Sequence, residues 1–309
     1  NNEPLGIAFN PYDPPSPVRV YVGHAELFAN GGGPFAGPSD YSGAVSVLEG
    51  PDFIHGPSST IISGLPVSNH DHAVNGMQFD NNGDLLIAVG GNTNAGIPSN
   101  KMGTLPESPL SAAILKAELS DPAFNGVITY EETVGGAPNM DQVFGDIVDV
   151  VPGTHVSVHA SGLRNAFDIA FTTWGGLYAT DNGPNSTFGP RSLDCATDGT
   201  EVGSADELDL IEYGNYYGHP NRNRGRYDAR QCVYRTTSEP SVPHEFTQKI
   251  ASLSSSSDGI MEYRATTFLG QMYGDLIVEK WNNPVKRFVL SSDHRTVTNI
   301  VQLEPNLSS

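Results

Sequence analysis

The sequence predicts an all-β fold built from repeated hairpins arranged as the blades of a propeller. Three observations carry this. The 309 residues include 34 glycines and 23 prolines, which suits many short strands joined by irregular loops. A Phe–turn–strand unit recurs along the chain. Helix signals are poor throughout, with polar loops at Asn69–His72, Gly90–Ser108 and Ser252–Ser257.

The repeat is clearest in two places. Met77-Gln78-Phe79 is followed by an Asn-Asn-Gly turn and the apolar run Leu85–Val89; Ile169-Ala170-Phe171 is followed by Thr-Trp-Gly and Leu177–Thr180. In both, the Phe lies four residues before the turn Gly and six before the next strand's Leu. Looser copies are Gly6-Ile7-Ala8-Phe9 with Val18–Val22, and Thr267-Phe268-Leu269 with Asp275–Val278. The innermost strands are therefore expected at Leu5–Phe9, Val74–Phe79, Phe167–Phe171 and Arg264–Phe268. Outer strands are expected at Gly43–Leu48 and Thr60–Ile62 in the first unit, and at Ala113–Ala117 and Val127–Tyr130 in the second. Radial repetition lets such short antiparallel strands share one core.

The copies lie roughly 70 to 97 residues apart, long for a four-stranded blade, so large loops are expected at 90–112 and 185–260. The expectation is one propeller domain over residues 1–309 with about four to five blades present. The fourth copy runs out at Val301-Gln302-Leu303, where another blade should begin. The chain opens on Asn-Asn-Glu-Pro and enters a strand almost at once, which reads as a processed or partial segment.

The balance of 35 acidic against 16 basic residues gives a net charge of -19. No basic field exists to neutralise phosphates, which argues against nucleic acid as a partner. An acidic surface favours solubility and cation binding; simple solvation of that surface is the preferred reading. The segment Asn221–Arg235 departs from this with five arginines. They pair with the protein's own carboxylates or form an anion site; the first reading is preferred. No run is long and apolar enough to span a membrane, and no signal-peptide pattern opens the chain.

Cys195 and Cys232 are the only cysteines. A disulfide between them would close a loose excursion and stabilise it by roughly 3–4 kcal/mol; the alternative is two buried thiols. The sequons Asn185-Ser186-Thr187 and Asn306-Leu307-Ser308 also lean towards a secreted protein.

The most informative stretch runs from Ser161 to Pro220. It reads SGLRNAFDIAF, GGLYATDNGPN and, after a loop, ADELDLIEYGNYYGHP. Three pieces occur in order: GLRN, DNGP and DEL-x-LI-x-x-G-NY-x-G-x-P. This arrangement resembles the soluble glucose/sorbosone dehydrogenase family, six-bladed propellers whose enzymatic members use pyrroloquinoline quinone (PQQ) and calcium. The resemblance spans most of residues 65–285 and implies an incomplete six-bladed-type propeller.

It also implies roles for particular residues. His72, in Ser68-Asn69-His70-Asp71-His72, stands where the family places the general base that takes the substrate hydroxyl proton as hydride moves to the quinone. Imidazole suits that work without a large pKa shift. The alternatives are a turn histidine bonded to loop carbonyls, or a metal site with His70. Arg164 and Asn165 match the pair that contacts the quinone; the alternative for Arg164 is a structural guanidinium tying blades through backbone carbonyls. Gly183-Pro184 matches the corner whose carbonyls ligate the cofactor-bridging calcium, and Asp206 and Glu207, with Asp209, follow as oxygen donors for a calcium or as turn caps. Lys280 lies where some members place a cofactor-contacting lysine, beside Trp281. Two departures stand out. The acidic or amide-bearing loop of the family is here Gly90-Gly91-Asn92-Thr93-Asn94, without a carboxylate. The late arginines that clamp the quinone would fall beyond Leu303.

Two functions follow. One is a PQQ- and calcium-dependent dehydrogenase of a sugar or alcohol. The other is a non-catalytic secreted propeller module that binds a small sugar or glycan, or assembles with extracellular chains or further blades of the same polypeptide. A lactonase-type or NHL-type propeller would need an acidic calcium cluster at the central tunnel, and the sequence shows none.

Overall fold

A computed structural model describes residues 3–26, 41–68, 70–132, 148–236, 245–254, 256–281 and 284–303. Among them, four four-stranded antiparallel sheets follow one another as propeller blades. The first contains β1 (Glu3–Ala8), β2 (Arg19–Ala25), β3 (Gly43–Glu49) and β4 (Ser58–Leu65). The second contains β5 (Val74–Phe79), β6 (Leu85–Val89), β7 (Ala113–Ala117) and β10 (Val156–Ser161). The third contains β11 (Ala166–Phe171), β12 (Leu177–Asp181), β15 (Asp206–Ile211) and β16 (Ala251–Leu253), and the fourth β17 (Ser257–Glu262), β18 (Leu276–Lys280), β19 (Lys286–Leu290) and β20 (Val297–Gln302). Two small ribbons lie in the loops: β8 (Tyr130–Glu132) with β9 (Val148–Val150), and β13 (Pro190–Ser192) with β14 (Asp198–Glu201). The innermost strands β1, β5, β11 and β17 pack in succession.

Strand alternation explains how the blades stack. Successive side chains of a strand face opposite ways, so an inner strand between two blades buries both faces. Along β6, Leu85, Ile87 and Val89 join the cluster shared with the first blade, which includes Val45, Val47 and Ile62. The intervening Leu86 and Ala88 join the cluster shared with the third blade, with Leu177, Ala179 and Ile211. A third cluster joins Tyr178, Leu208 and Leu210 to Ile260, Val278 and Phe288 of the fourth blade. The hairpins close through the expected glycines. Gly83 and Gly175 adopt φ of +85° and +95°, the left-handed region where a Cβ is penalised.

Two strand expectations are corrected. The innermost strand of the fourth blade is Ser257–Glu262, not Arg264–Phe268. The hairpin that follows is long, and Phe268 sits in a short 3-10 turn, 63 % exposed. The segment Val127–Tyr130 does not complete the second blade; Val127 bridges Ser63 at the edge of the first, and β10 takes the outer position beside β7. Proximity in sequence failed because a crossover of nearly forty residues separates β7 from β10.

The arginine-rich segment forms a one-turn helix α1 (Arg222–Gly225), capped by the Asn221 side chain, and a 3-10 turn at Ala229–Cys232. Arg222, Arg226, Arg230 and Arg235 pair with Asp198, Asp149, Asp228 and Glu245. The buried Arg224 instead donates to the carbonyls of Pro109, Ser111 and Ala112 and to Gln231. The preferred reading of this basic run, internal pairing, holds. Cys195 and Cys232 are disulfide-bonded and tie this segment to the ribbon β13–β14.

Candidate functional site

The site lies where the loops after β6 and β10 meet the corner after β12. Three backbone contacts of the 90–94 loop organise it. Gly91 donates its N–H to the Arg164 carbonyl at 2.7 Å. The Gly91 carbonyl faces His72 Nδ1 at 2.7 Å. Asn94 accepts from the Arg164 guanidinium twice, at its backbone oxygen (3.2 Å) and at Oδ1 (3.1 Å). A Cβ at Gly90 would lie 2.7 Å from both Asn165 Oδ1 and the His72 Cβ, so glycine is what lets His72 and Asn165 close on each other.

His72 is 2 % exposed. Burial, reinforced by Arg164 and opposed by Asp71, pushes its pKa down to about 4. The ring is therefore neutral at physiological pH. With Nδ1 donating to Gly91, the hydrogen is fixed on Nδ1 and the lone pair on Nε2. Nε2 stands 3.7 Å from Asp71 Oδ1. Asp71 is buried on one side, but His72, His70 and Arg164 outweigh that and hold its carboxyl well below the usual range.

Arg164 is 3 % exposed and commits three N–H groups to Asn94 and to the Asn182 carbonyl. A guanidinium carries five N–H donors, so two have no partner among the described residues. Asn165 gives its backbone N–H to Asp181 at 2.7 Å, and its Oδ1 accepts from Asn75 at 2.8 Å. The Asp181 carboxyl receives the Arg164 and Asn165 N–H groups together. Burial, with Glu207 close by, still pushes Asp181 up to about 8.

The remaining expected residues fall around this centre to different degrees. Gly183 and Pro184 line a cavity with Arg164, Asp181, Glu207, Tyr217, His219 and Tyr234. The Pro184 carbonyl accepts from Ser204, and Gly183 donates its N–H to Asp206. Asp206 uses its second oxygen on Ser257 N–H at 2.8 Å, so one oxygen holds the corner of its own blade and the other ties the third blade to the fourth. Glu207 lies 3.4 Å from Lys249. Glu207 and Asp209 alternate along β15 onto the face carrying Asp181. Neither Asp209 carboxyl oxygen has a partner among the described residues, and burial drives its pKa well up. Among the described residues no three His, Cys, Asp or Glu side chains converge as a metal cluster. Lys280 ends β18 opposite Ser257 and lines a separate cleft with Ser252, Lys286 and Phe288.

The structure adds a group that sequence reasoning missed. Glu107, 1 % exposed, receives Asn92 N–H and Ser111 Oγ at Oε2, and Thr93 N–H, Thr93 Oγ1 and His219 at Oε1. Burial raises its pKa, but these bonds, His219 foremost, bring it down to about 2. The carboxylate absent from the 90–94 loop thus enters beneath it from Glu107. Nothing in the sequence marks Glu107. His219 was visible as the variable residue between Gly218 and Pro220 of the third motif.

The blades and their sequence order define a β-propeller. No protein-family profile and no curated protein matches the chain. Solved structures do. A Thermus thermophilus protein assigned as an oxidoreductase (glucose dehydrogenase) is 19% identical, with a TM-score of 0.59 over 99% of this chain and 71% of that one. The PQQ-bound aldose sugar dehydrogenase of Streptomyces coelicolor is 17% identical, with a TM-score of 0.56 over 98% and 67%. The soluble aldose sugar dehydrogenase of Escherichia coli, in its apo form, is 16% identical, with a TM-score of 0.57 over 97% and 73%. At these identities the likeness carries the fold.

Proposed function

We propose that this chain forms the active-site part of a PQQ- and calcium-dependent dehydrogenase that oxidises a sugar or alcohol hydroxyl. The observation that carries it is the state of His72. Its imidazole is neutral, buried, fixed in one tautomer by Gly91, and has Nε2 open. That is the arrangement a general base needs. When bound, the quinone would supply the hydride acceptor. His72 Nε2 would take the hydroxyl proton, and Asp71, exposed beside it, would pass that proton to solvent. Arg164 offers its two remaining N–H groups to an anionic or carbonyl oxygen, and the Asn165 amide nitrogen has no protein partner among the described residues.

Calcium suits the oxygen-rich set on the third blade. Glu207, Asp181 and the Gly183 carbonyl would hold it, while Asp206 keeps its role between blades. Lys280 would reach the cofactor only by leaving its own cleft. Secretion fits the disulfide and the exposed Asn185 sequon; the Asn306 sequon lies outside the described residues.

One observation favours the second reading, a non-catalytic extracellular module. Arg164 already ties loops of the second and third blades through carbonyls, as a purely structural arginine would. Further blades or other chains would seat on the open faces at Leu5, Ile7 and Phe9 of the first blade and at Ile300 and Val301 of the fourth. The test is quinone titration with sugar-dependent dye reduction. His72→Ala is expected to abolish turnover and keep quinone affinity. Arg164→Ala is expected to weaken quinone binding by about 1–3 kcal/mol. Turnover that survives His72→Ala removes the base assignment, and absence of any quinone binding leaves the module reading.

A further inference from the structure

A second cleft lies at the seam of the third and fourth blades, and it shares no lining residue with the cavity at the corner after β12. Its position follows from strand register. Lys286, at the start of β19, pairs with Val278 of β18, and Lys280 follows Val278 by two residues on the same face. Val278 is buried against the third blade, so both lysines are carried towards that blade too. Ser252 and Ser254, around the end of β16, and Ser257 of β17 complete the polar lining.

These two lysines are the exceptions in the chain. Of its five lysines, Lys116 sits between Asp80 and Asp84, Lys249 meets Glu207, and Lys101 lies over the Phe188 ring. Lys280 and Lys286 have no carboxylate and no hydrogen-bond partner among the described residues. The cleft has no acidic side chain in its lining. Asp206, which accepts the Ser257 N–H, has both oxygens occupied by backbone amides. In a protein of net charge -19, two neighbouring ammonium groups left together on one face repel each other unless an anion joins them.

Two positive charges match a phosphate group, at about −1.5 to −2, better than a carboxylate. Serine hydroxyls can donate to oxygens that the ammonium groups leave open. The free space is about 30 Å³, enough for one or two oxygen-sized groups. The cleft therefore takes a compact end group and not a ring. We infer that this seam is a binding site for a phosphate group, with Lys280 and Lys286 as its two charges and the serines at its rim. The inference does not rest on the dehydrogenase reading.

The test uses the whole chain, labelled with 13C at lysine, without quinone. The five lysine side-chain signals are followed near neutral pH while inorganic phosphate, methyl phosphate and sodium chloride are added separately at matched ionic strength. Lys280 and Lys286 are assigned from Lys280→Gln and Lys286→Gln. The expected result is that these two signals move together and saturate with phosphate, while those of Lys101, Lys116 and Lys249 stay. Either Gln variant should lower phosphate affinity about tenfold. Lys286→Arg, which keeps the charge, should recover most of it. Saturation by methyl phosphate as well assigns the cleft to the end group of a phosphorylated molecule, and saturation by inorganic phosphate alone assigns it to the free ion; both keep the inference.

The wild-type titration decides even if a variant fails to fold. Signals that never saturate, that chloride moves equally, or that move alike for all the lysines mean general screening and overturn the inference. PQQ is itself an anion, so it forms the last arm. If PQQ moves both signals and phosphate displaces it, Lys280 belongs to the cofactor and the separate site falls. If PQQ leaves both signals still, the site stands apart, whether or not dye reduction supports the dehydrogenase reading.

Discussion

Replacing Glu107 should be the most damaging single change near the site, and the damage should depend on pH. Glu107→Ala strands five buried donors: Asn92 N–H, Thr93 N–H, the Thr93 and Ser111 hydroxyls and His219 Nε2. Hydroxyls can turn to other acceptors, but the two amides and the imidazole cannot. At about 1–3 kcal/mol for each of these three stranded groups, the loss is on the order of 3–9 kcal/mol, a large part of a typical domain's stability. Glu107→Gln keeps one carbonyl oxygen and should lose about 1–3 kcal/mol.

The pH dependence has a definite sign. The folded pKa of Glu107 is depressed to about 2, so the unfolded chain binds its proton first on acidification. The stabilisation is therefore whole above about pH 4.5 and is lost as pH falls towards 2. Each pH unit separating the folded from the unfolded titration is worth about 1.4 kcal/mol, so about 3 kcal/mol is involved. Urea denaturation of wild type and Glu107→Gln from pH 7 down to pH 3 reads this directly. The gap between the two should narrow below about pH 4.5. A gap that stays constant over that range, or Glu107→Ala within about 1 kcal/mol of wild type at pH 7, would refute the assignment of a buried, charged Glu107.

Three further outcomes are expected. If His72 is the base, kcat/KM should stay level as pH falls through 6 and drop only near its folded pKa of about 4, because protonation removes the Nε2 lone pair; a fall centred near 6.5 would contradict the buried neutral ring. Replacing both Cys195 and Cys232 by Ser should lower stability by about 3–4 kcal/mol, from opening a loop of 37 residues; unchanged denaturation midpoints would show that α1 and its ion pairs hold this segment unaided. Calcium at a hundredfold excess over its Kd should stabilise the protein by about 2.7 kcal/mol, seen as a raised Tm that chelator reverses; an unchanged Tm over millimolar calcium would remove the metal from the third blade.

The fold was legible where periodicity is local. Phe79, Gly83 and Leu85 sit within one hairpin, as do Phe171, Gly175 and Leu177, so spacing alone places β5–β6 and β11–β12. The fourth blade misled because its hairpin loop is long, and Phe268 there lies exposed in a turn. The expected pairing of Val127–Tyr130 failed for the opposite reason: the nearest strand in sequence is not always the next in the sheet.

The candidate site divides in the same way. The chain by itself determined which side chains are the candidates: His72, the Arg164-Asn165 pair and the acidic stretch from Asp181 to Asp209 lie in short motifs whose order is visible. What only the tertiary structure decided is which of their atoms remain open. Arg164 has two donors left because Asn94 and Asn182 take three, and Asp206 is occupied between blades. Glu107 meets His219 across 112 residues. Such contacts follow from how blades stack, since a buried polar group must find its partner in whichever loop the packing brings beside it. Sequence spacing carries no trace of that choice.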